Sequence, residues 1–384
     1  MTSRIDIRLR LIERLSELTP QAWDALAEEQ ICLSHAYLDT LEQTGSVGPG
    51  TGWRPLHLTL WHHDTLVGAL PLYEKHHSFG EYVFDWAWAD AYQRHGLSYY
   101  PKWLGAIPFT PVPGPRLLAR DEHCRALLID AALKLAKESG FSSLHVLLPD
   151  TREQNQLHSA GFMIRHGVQF HWHNKGFASF DDFVARLNHK KRKHIRQERR
   201  RAAQSEVQFR WLSGRDATES DWAFFYHCYS NTYARHYSTP YLNQAFFTQL
   251  ARRKPDGVRL LLALRDERPV ASAFFLCDEH ALYGRYWGAT EHIPFLHFEL
   301  CYYRAIEYCI DHHIARFEGG AQGEHKLSRG LEPTPTCSAH WLRDSRFSDA
   351  VDRYLEHERR GIGFYLDELS ERSPFRRNTP DEDK

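Results

Sequence analysis

The order of secondary-structure elements read along this chain occurs twice, and that repetition restricts the fold more than any single motif. In the first half a strand over 5–11 and helices over 22–28 and 35–44 precede two alternating runs, 55–62 and 66–73, separated by His63-Asp64-Thr65. Alternation around a short polar turn predicts a β-hairpin. An aromatic stretch over 81–109 supplies the next strand. A helix over 124–139 ending at Gly140, a strand over 143–148, a short helix over 151–159 and a strand over 166–173 complete the half. The second half follows the same order. It has a strand over 207–212, helices over 219–233 and 243–251, and a hairpin over 258–265 and 270–277. A strand over 281–287, a helix over 298–312, a strand over 315–318, a glycine loop and a strand over 337–342 then follow. Residues 53–73 align with 257–277, and 156–162 with 326–331. With 384 residues, each half is long enough for its own core. The expected organisation is an N-terminal domain over 1–173, a C-terminal domain over 174–372 and a polar tail over 373–384.

Composition removes several classes. Net charge is −1, which excludes a global electrostatic attraction to DNA, so any anion site must be local. No run approaches the roughly 18 apolar residues of a membrane helix, and the N-terminus lacks the apolar core of a signal peptide. The seven cysteines include no C-x-x-C pair and read as reduced thiols. There is no H-E-x-x-H. His171 and His173 share one strand face, but no metal is expected. A cytoplasmic location is the simple expectation.

Each half has the order β-α-α-β-β-β-α-β-α-β, which resembles the GNAT acyltransferase fold. Two such halves in one chain resemble the Fem-type peptidoglycan aminoacyl ligases. Closer similarity, to a bacterial FemAB-like family of predicted N-acyltransferases, lies in several motifs. These are His173-Asn174 with Phe180-Asp181-Asp182-Phe183, the run 190–199, Arg285-Tyr286-Trp287-Gly288, 297–303 and Gly320-Ala321-Gln322-Gly323-Glu324-His325-Lys326. The first half adds Tyr99-Tyr100-Pro101-Lys102 and Pro108-Phe109-Thr110-Pro111. The resemblance spans nearly the whole chain. It implies an α/β fold of tandem GNAT-like domains, each a mixed sheet flanked by helices. It also implies transfer of an acyl or aminoacyl group to an amine, with acyl-CoA or aminoacyl-tRNA as donor and a small molecule or cell-wall precursor as acceptor.

Two segments carry most of the candidate chemistry. The run 189–201 holds eight Lys/Arg against one Glu. On a helix, Arg192 groups with Arg196, Arg199 and Arg200, a stripe suited to phosphates as well as to an ordinary solvated face. Its Arg192-Lys193-His194-Ile195-Arg196 is similar to an R-x-x-I-R-K core in Fem-type enzymes, from which Gln197 departs. With Lys191, these side chains are the candidates for the phosphates of coenzyme A, of a nucleotide-linked acceptor or of tRNA. The segment 318–329 gathers Glu318, Gln322, Glu324, His325, Lys326 and Arg329 among Gly319, Gly320 and Gly323, where loosened backbone can approach an anion. Gly320, Gln322, Gly323 and Arg329 join the donor-binding set. The resemblance makes Lys326 the residue that stabilises charge at the acyl carbonyl, although Leu331 stands where those ligases have an aromatic.

Removing the amine proton requires a carboxylate or imidazole. His297, Glu299, Glu318 and Glu324 all fit, with Glu299 and His325 placed first. Glu299 and His297 also suit helix capping. Arg285, Trp287 and His297 are assigned to an acceptor cleft, as are Trp86, Asp90 and Tyr92 of the first half, whose alternative role is an aromatic core. Cys301 is a weak nucleophile candidate. A different class of function, RNA or tRNA binding through the basic helix with no catalysis, is the alternative. A first half that only frames the active one is a third reading.

Overall fold

The computed structural model describes residues 7–27, 29–321 and 323–376. Residues 5 and 6 of the expected first strand, residue 28 of the expected helix, Gln322 and most of the expected tail lie outside them. The chain forms two compact units. The first comprises Met1–Gly167, Tyr241–Leu250 and Pro335–Gly363; the second comprises Val168–Pro240, Ala251–Thr334 and Phe364–Lys384. A single boundary after residue 173 therefore does not describe them. The reason is an exchange of closing strands. In the strand Met163–His173, residues His171–His173 pair with the strand Arg316–Glu318 in the second unit. In the strand Glu332–Leu342, Ser338–Leu342 pair with Ser143–Leu147 in the first. Each half's final strand completes the sheet built by the other half. Pairing partners are long-range choices that local patterning does not encode.

In the first unit the hairpin His57–His62 and Thr65–Leu70 forms as expected, with His63 at a φ of 53° in its turn. The sheet that matters for comparison places Lys102–Gly105 parallel to Ser143–Leu147. The helix Glu122–Glu138 connects them and buries Cys124, Leu128, Ala132 and Ala136, a four-residue spacing that puts them on one face. The aromatic stretch does not supply its strand where expected. Trp86–Arg94 is a helix that buries Trp88 and Tyr92, four residues apart, and the strand begins only at Lys102.

The second unit repeats the plan. Its strand order is Gln208–Ser213, Val258–Arg265, Arg268–Cys277, Ala281–Ala289, Arg316–Glu318 and the end of Met163–His173. Ala281–Ala289 runs parallel to Arg316–Glu318, and a helical segment from Leu296 to Asp311 connects them. The core is rich in rings, including Trp172, Phe177, Phe180, Phe183, Tyr303 and Phe317. The long helix Ser345–Glu371 is an element the sequence pattern leaves unassigned. Among the described residues no helix is long and apolar enough to cross a membrane.

Two glycines in helix-bearing regions predict opposite outcomes. A Cβ on Gly288 would sit 2.1 Å from the Cys228 carbonyl oxygen, because the helix Glu219–Arg235 presses directly on the strand. Gly288→Ala is expected to destabilise by about 1–3 kcal/mol through overpacking. Gly361 lies exposed in Ser345–Glu371 with open space around it, and Gly361→Ala is expected to stabilise by about 0.5–1 kcal/mol. Urea denaturation midpoints at an unchanged m-value measure both.

Candidate functional site

The two parallel strands of the second unit stay paired for only three positions, Ala281 with Arg316, Leu282 with Phe317 and Tyr283 with Glu318. Beyond that point Ala281–Ala289 has no ladder partner on that side among the described residues, while the backbone after Arg316–Glu318 turns away through Gly319 and Gly320. A bulge coincides with the parting. Phe275 faces Gly284 and Phe274 faces Tyr286, so Arg285 is the extra residue. Bulges re-aim backbone and side chains and recur beside active sites. The second strand can turn here because Gly320 adopts a φ of 84°, which favours glycine.

Lys326 lies at this break. It is buried, and its Nζ donates to the Gly320 carbonyl oxygen at 2.8 Å. Burial lowers its ammonium pKa to about 8. Gly319 leaves room for the site: a Cβ there would stand 3.3 Å from the Tyr302 ring and 3.5 Å from the Lys326 side chain. His325, next to Lys326, places Nε2 3.0 Å from the Tyr302 hydroxyl. Its pKa is lowered by burial and by the Arg329 and Lys326 charges, which favours a neutral imidazole. A Cβ on Gly323 would fall 2.5 Å from the His325 ring, so this glycine permits the ring's position.

The connecting helix contributes through an irregularity. Leu296–Phe298 is α-helical, Glu299–Tyr303 forms a π-helical turn, and Arg304–Asp311 is α-helical again. The wider turn buries Glu299, Tyr302 and Tyr303 together, an arrangement common at functional sites. His297 packs 4.4 Å from the Trp287 ring and 5.7 Å from Tyr302. Burial, followed by the charges of His325, Arg329 and Lys326, pushes its pKa down to about 4. Trp287, His297, Tyr302, His325 and Lys326 therefore converge. Arg285 is half-buried on the bulge with its guanidinium 5.3 Å from the Tyr286 ring.

The basic run is the helix His189–Ala203, capped by Asn188, whose side chain accepts from the Lys191 amide. Its cations do not share one face. Ile195, Glu198 and Ala202 point inward. Glu198, the lone acid, holds Arg329 at 2.8 Å and accepts from the Tyr303 hydroxyl. Arg199 leaves the expected stripe to pair with Glu299 at 3.0 Å and to lie over the Phe180 ring. Lys191 bonds the Ser328 hydroxyl at 2.9 Å. Arg196 and Arg200 are exposed and Arg192 is half-buried. The helix and the glycine loop are thus brought together, but Arg199 and Arg329 are engaged in internal ion pairs.

Glu299 is buried, with Oε1 3.0 Å from both Arg199 and Arg304, while its Oε2 bonds no described residue. Glu324 is exposed and accepts from the Tyr365 hydroxyl at 2.9 Å. Glu318 is buried at the strand end, 2.9 Å from Arg316, and burial raises its pKa to about 7. Burial pushes the Cys301 thiol up, away from the thiolate a nucleophile needs. Tyr302, Tyr303 and Glu198 are participants the sequence analysis does not single out. For Glu198 a signal existed: a solitary acid at helical spacing from Ile195 and Ala202 in a cationic run. In the first unit Trp86 and Asp90 line a cavity of about 520 Å³. Tyr92 does not line it; its ring is buried 4.1 Å from Phe347.

Comparison with solved structures places the fold. FemX matches with a TM-score of 0.55 at 10% identity, covering 87% of this chain and 98% of that one. L-PGS from Bacillus licheniformis matches with a TM-score of 0.52 at 10% identity, covering 88% and 97%. A tandem GNAT protein from the clavulanic acid biosynthesis pathway matches with a TM-score of 0.45 at 12% identity, covering 88% and 98%. The fold is a mixed α/β fold shared with FemX and L-PGS. No curated protein matches the chain by sequence. A family model described as peptidoglycan biosynthesis/recognition matches residues 14–377, and the chain belongs to this FemAB-like family.

Proposed function

We propose that the second unit transfers an acyl or aminoacyl group from a thioester or tRNA ester to an amine, with a cell-wall precursor as the acceptor. Family membership supports a peptidoglycan-related transferase. The observation that carries the finer reading is the ammonium of Lys326 at the point where two parallel strands part. A carbonyl laid into that gap would meet strand backbone without a ladder partner and a partly desolvated cation, both aimed where negative charge develops.

In this reading the acceptor amine attacks the acyl carbon and forms the new C–N bond. The carbonyl oxygen takes up the electron pair and is stabilised by Lys326. The neutral His325 imidazole accepts the amine proton. Collapse of the intermediate breaks the C–S or C–O bond, and the departing thiolate or ribose oxygen receives that proton from His325. Tyr302 orients the imidazole, and Trp287 with His297 forms a wall for the acceptor. Glu299 acts as a positioning residue, since two guanidiniums already hold one of its oxygens. Gln322 remains a donor-loop candidate by its place in the sequence alone. The exposed Arg196 and Arg200, with Lys193, face outward for the phosphates of the donor.

A mass-spectrometric screen of acyl-CoAs and charged tRNAs against candidate amines tests the reaction. Once a productive pair is found, Lys326→Ala is expected to lower kcat about 100-fold with little change in KM, the scale of losing one oxyanion donor. Unchanged turnover would remove Lys326 from the mechanism.

The pH dependence has a defined sign. Lys326 must be protonated to act, and its ammonium is depressed to about 8. The rate at saturating acceptor should therefore fall as pH rises through about 8, and Lys326→Arg should move that alkaline limb to higher pH. A limb that stays in place in the Arg variant assigns the titration to another group.

The outward cations favour a polyanionic donor, and they alone would also suit an RNA-binding protein without catalysis. Arg196→Glu with Arg200→Glu should weaken charged-tRNA binding and flatten its salt dependence by about two contacts. Steep salt-dependent RNA binding with no turnover of any donor would favour the binding protein.

A further inference from the structure

The helix Ser345–Glu371 is packed at both ends and bare in the middle. Phe347, Val351 and Leu355 lie with Trp88 and Tyr92 in a cluster of the first unit, and Leu369 is fully buried in the core of the second. No residue between Leu355 and Leu369 is buried, and Phe364 is 76% exposed. Gly361 and Gly363 fall in this bare stretch, and a Cβ on either would meet open space. Neither glycine makes room for a neighbour. What each contributes is backbone freedom, at a cost in helix stability.

Past the glycines the chain holds the loop that carries Lys326. The Tyr365 hydroxyl donates to Glu324 Oε1 at 2.9 Å, and Arg372 lies 3.4 Å from Glu324 Oε2. Both carboxylate oxygens are therefore engaged by the C-terminal segment. Glu324 is the first residue of the turn Glu324–Arg329, next to His325 and Lys326. An exposed contact of this kind is weak on its own, so it can open and close while the core stays folded.

The same segment also holds the start of the basic helix. The amide of Asn188, its N-cap, donates to the Pro374 carbonyl oxygen at 2.9 Å, and the Arg376 amide donates to the Arg186 carbonyl oxygen at 3.0 Å. Phe375 sits opposite Leu187 in an isolated bridge, with its ring 6.4 Å from that of Phe183. Lys191 of the basic helix bonds Ser328, near the other end of the turn that Glu324 begins. Residues 365–376 thus tie together the two segments that converge on the site.

We propose that residues 365–376 form a strap that sets the position of His325 and Lys326. Tyr365 is the positioning residue and acts through Glu324, while the bare turn at Gly361–Gly363 lets the strap yield as substrates enter and leave. The consequence for turnover rests on the transfer chemistry proposed for the second unit; the hold on the loop does not.

Hydrogen–deuterium exchange of the full chain, read by mass spectrometry without any substrate, tests the hold. Glu324→Ala and Tyr365→Phe should each speed exchange of the amides of 324–331 about fivefold, the scale of one lost hydrogen bond. The two together should exchange no faster than Glu324→Ala alone, because that variant already removes the tyrosine's acceptor. Glu324→Gln, which still accepts from Tyr365, should stay near wild type. Gly361→Ala with Gly363→Ala should slow the amides of 324–331 as well as those of their own helix. Amides of Glu122–Glu138 in the first unit should stay unchanged in every variant. Exchange at 324–331 that ignores both single variants overturns the strap, and slowing confined to the helix in the glycine variant overturns the yielding turn. With a productive donor and amine in hand, Tyr365→Phe should lower kcat about fivefold with KM unchanged. An unchanged kcat beside faster exchange would mean a tie without a positioning role, which also overturns the proposal. If Lys326→Ala leaves turnover intact while the exchange pattern holds, the strap stands and the assignment of Lys326 falls.

Discussion

The ion pair between Glu198 and Arg329 holds the second unit's site together. Both side chains are nearly fully buried, and charges at that depth persist only when paired and hydrogen-bonded. Glu198 also takes the Tyr303 hydroxyl, and Arg329 donates to the His325 carbonyl oxygen at 2.8 Å and lies 3.5 Å over the Phe298 ring. One carboxylate thereby joins the basic helix, the π-helical turn and the glycine loop. Removing either partner would strand the other charge, a loss on the order of 3–5 kcal/mol. The positions of His325 and Lys326 depend on this anchor, because Arg329 follows them in the same short helical turn, Glu324–Arg329.

Around the anchor, burial sorts the cations into two populations. Arg199 and Arg329 face inward and are neutralised by Glu299 and Glu198, whereas Arg196 and Arg200 remain in solvent. Lys326 belongs to neither group. It is buried, among the described residues its ammonium meets a carbonyl oxygen and no carboxylate, and burial lowers its proton affinity. His297 and His325 shift in the same direction, through burial and also through neighbouring positive charge. In the proposed reading, the lowered proton affinity keeps the His325 imidazole neutral, and so free to take a proton from an amine, and makes Lys326 a labile cation.

Much of the framework was legible in the residues. The hairpins at 57–70 and 258–277 and the basic helix all follow from local pattern. The duplicated order of elements survives as a parallel strand pair spanned by a helix in each unit. At Trp86–Arg94 dense rings raise strand propensity, whereas burial of Trp88 and Tyr92 on one side selects a helix. Ser345–Glu371 is left unassigned by the sequence reading although Phe347, Val351 and Leu355, four residues apart, carry a helical apolar pattern. For the candidate site, the segments were legible but the partners were not. The sequence identifies 189–201 and 318–329 as charged and glycine-loosened; it does not indicate that Glu198 answers Arg329 across 131 residues.

The sequence by itself determined the class of chain, the doubling of its plan and the family, since periodicity, turn residues and motif order are local properties carried by neighbouring residues. Tertiary structure alone decided which half receives each closing strand, where the parallel strands part, and which cations are buried. Those outcomes depend on register and desolvation, which arise only when residues distant in the chain meet. A lysine in a polar loop is an ordinary surface charge until folding encloses it, and only then does Lys326 acquire the proton affinity on which its proposed role depends.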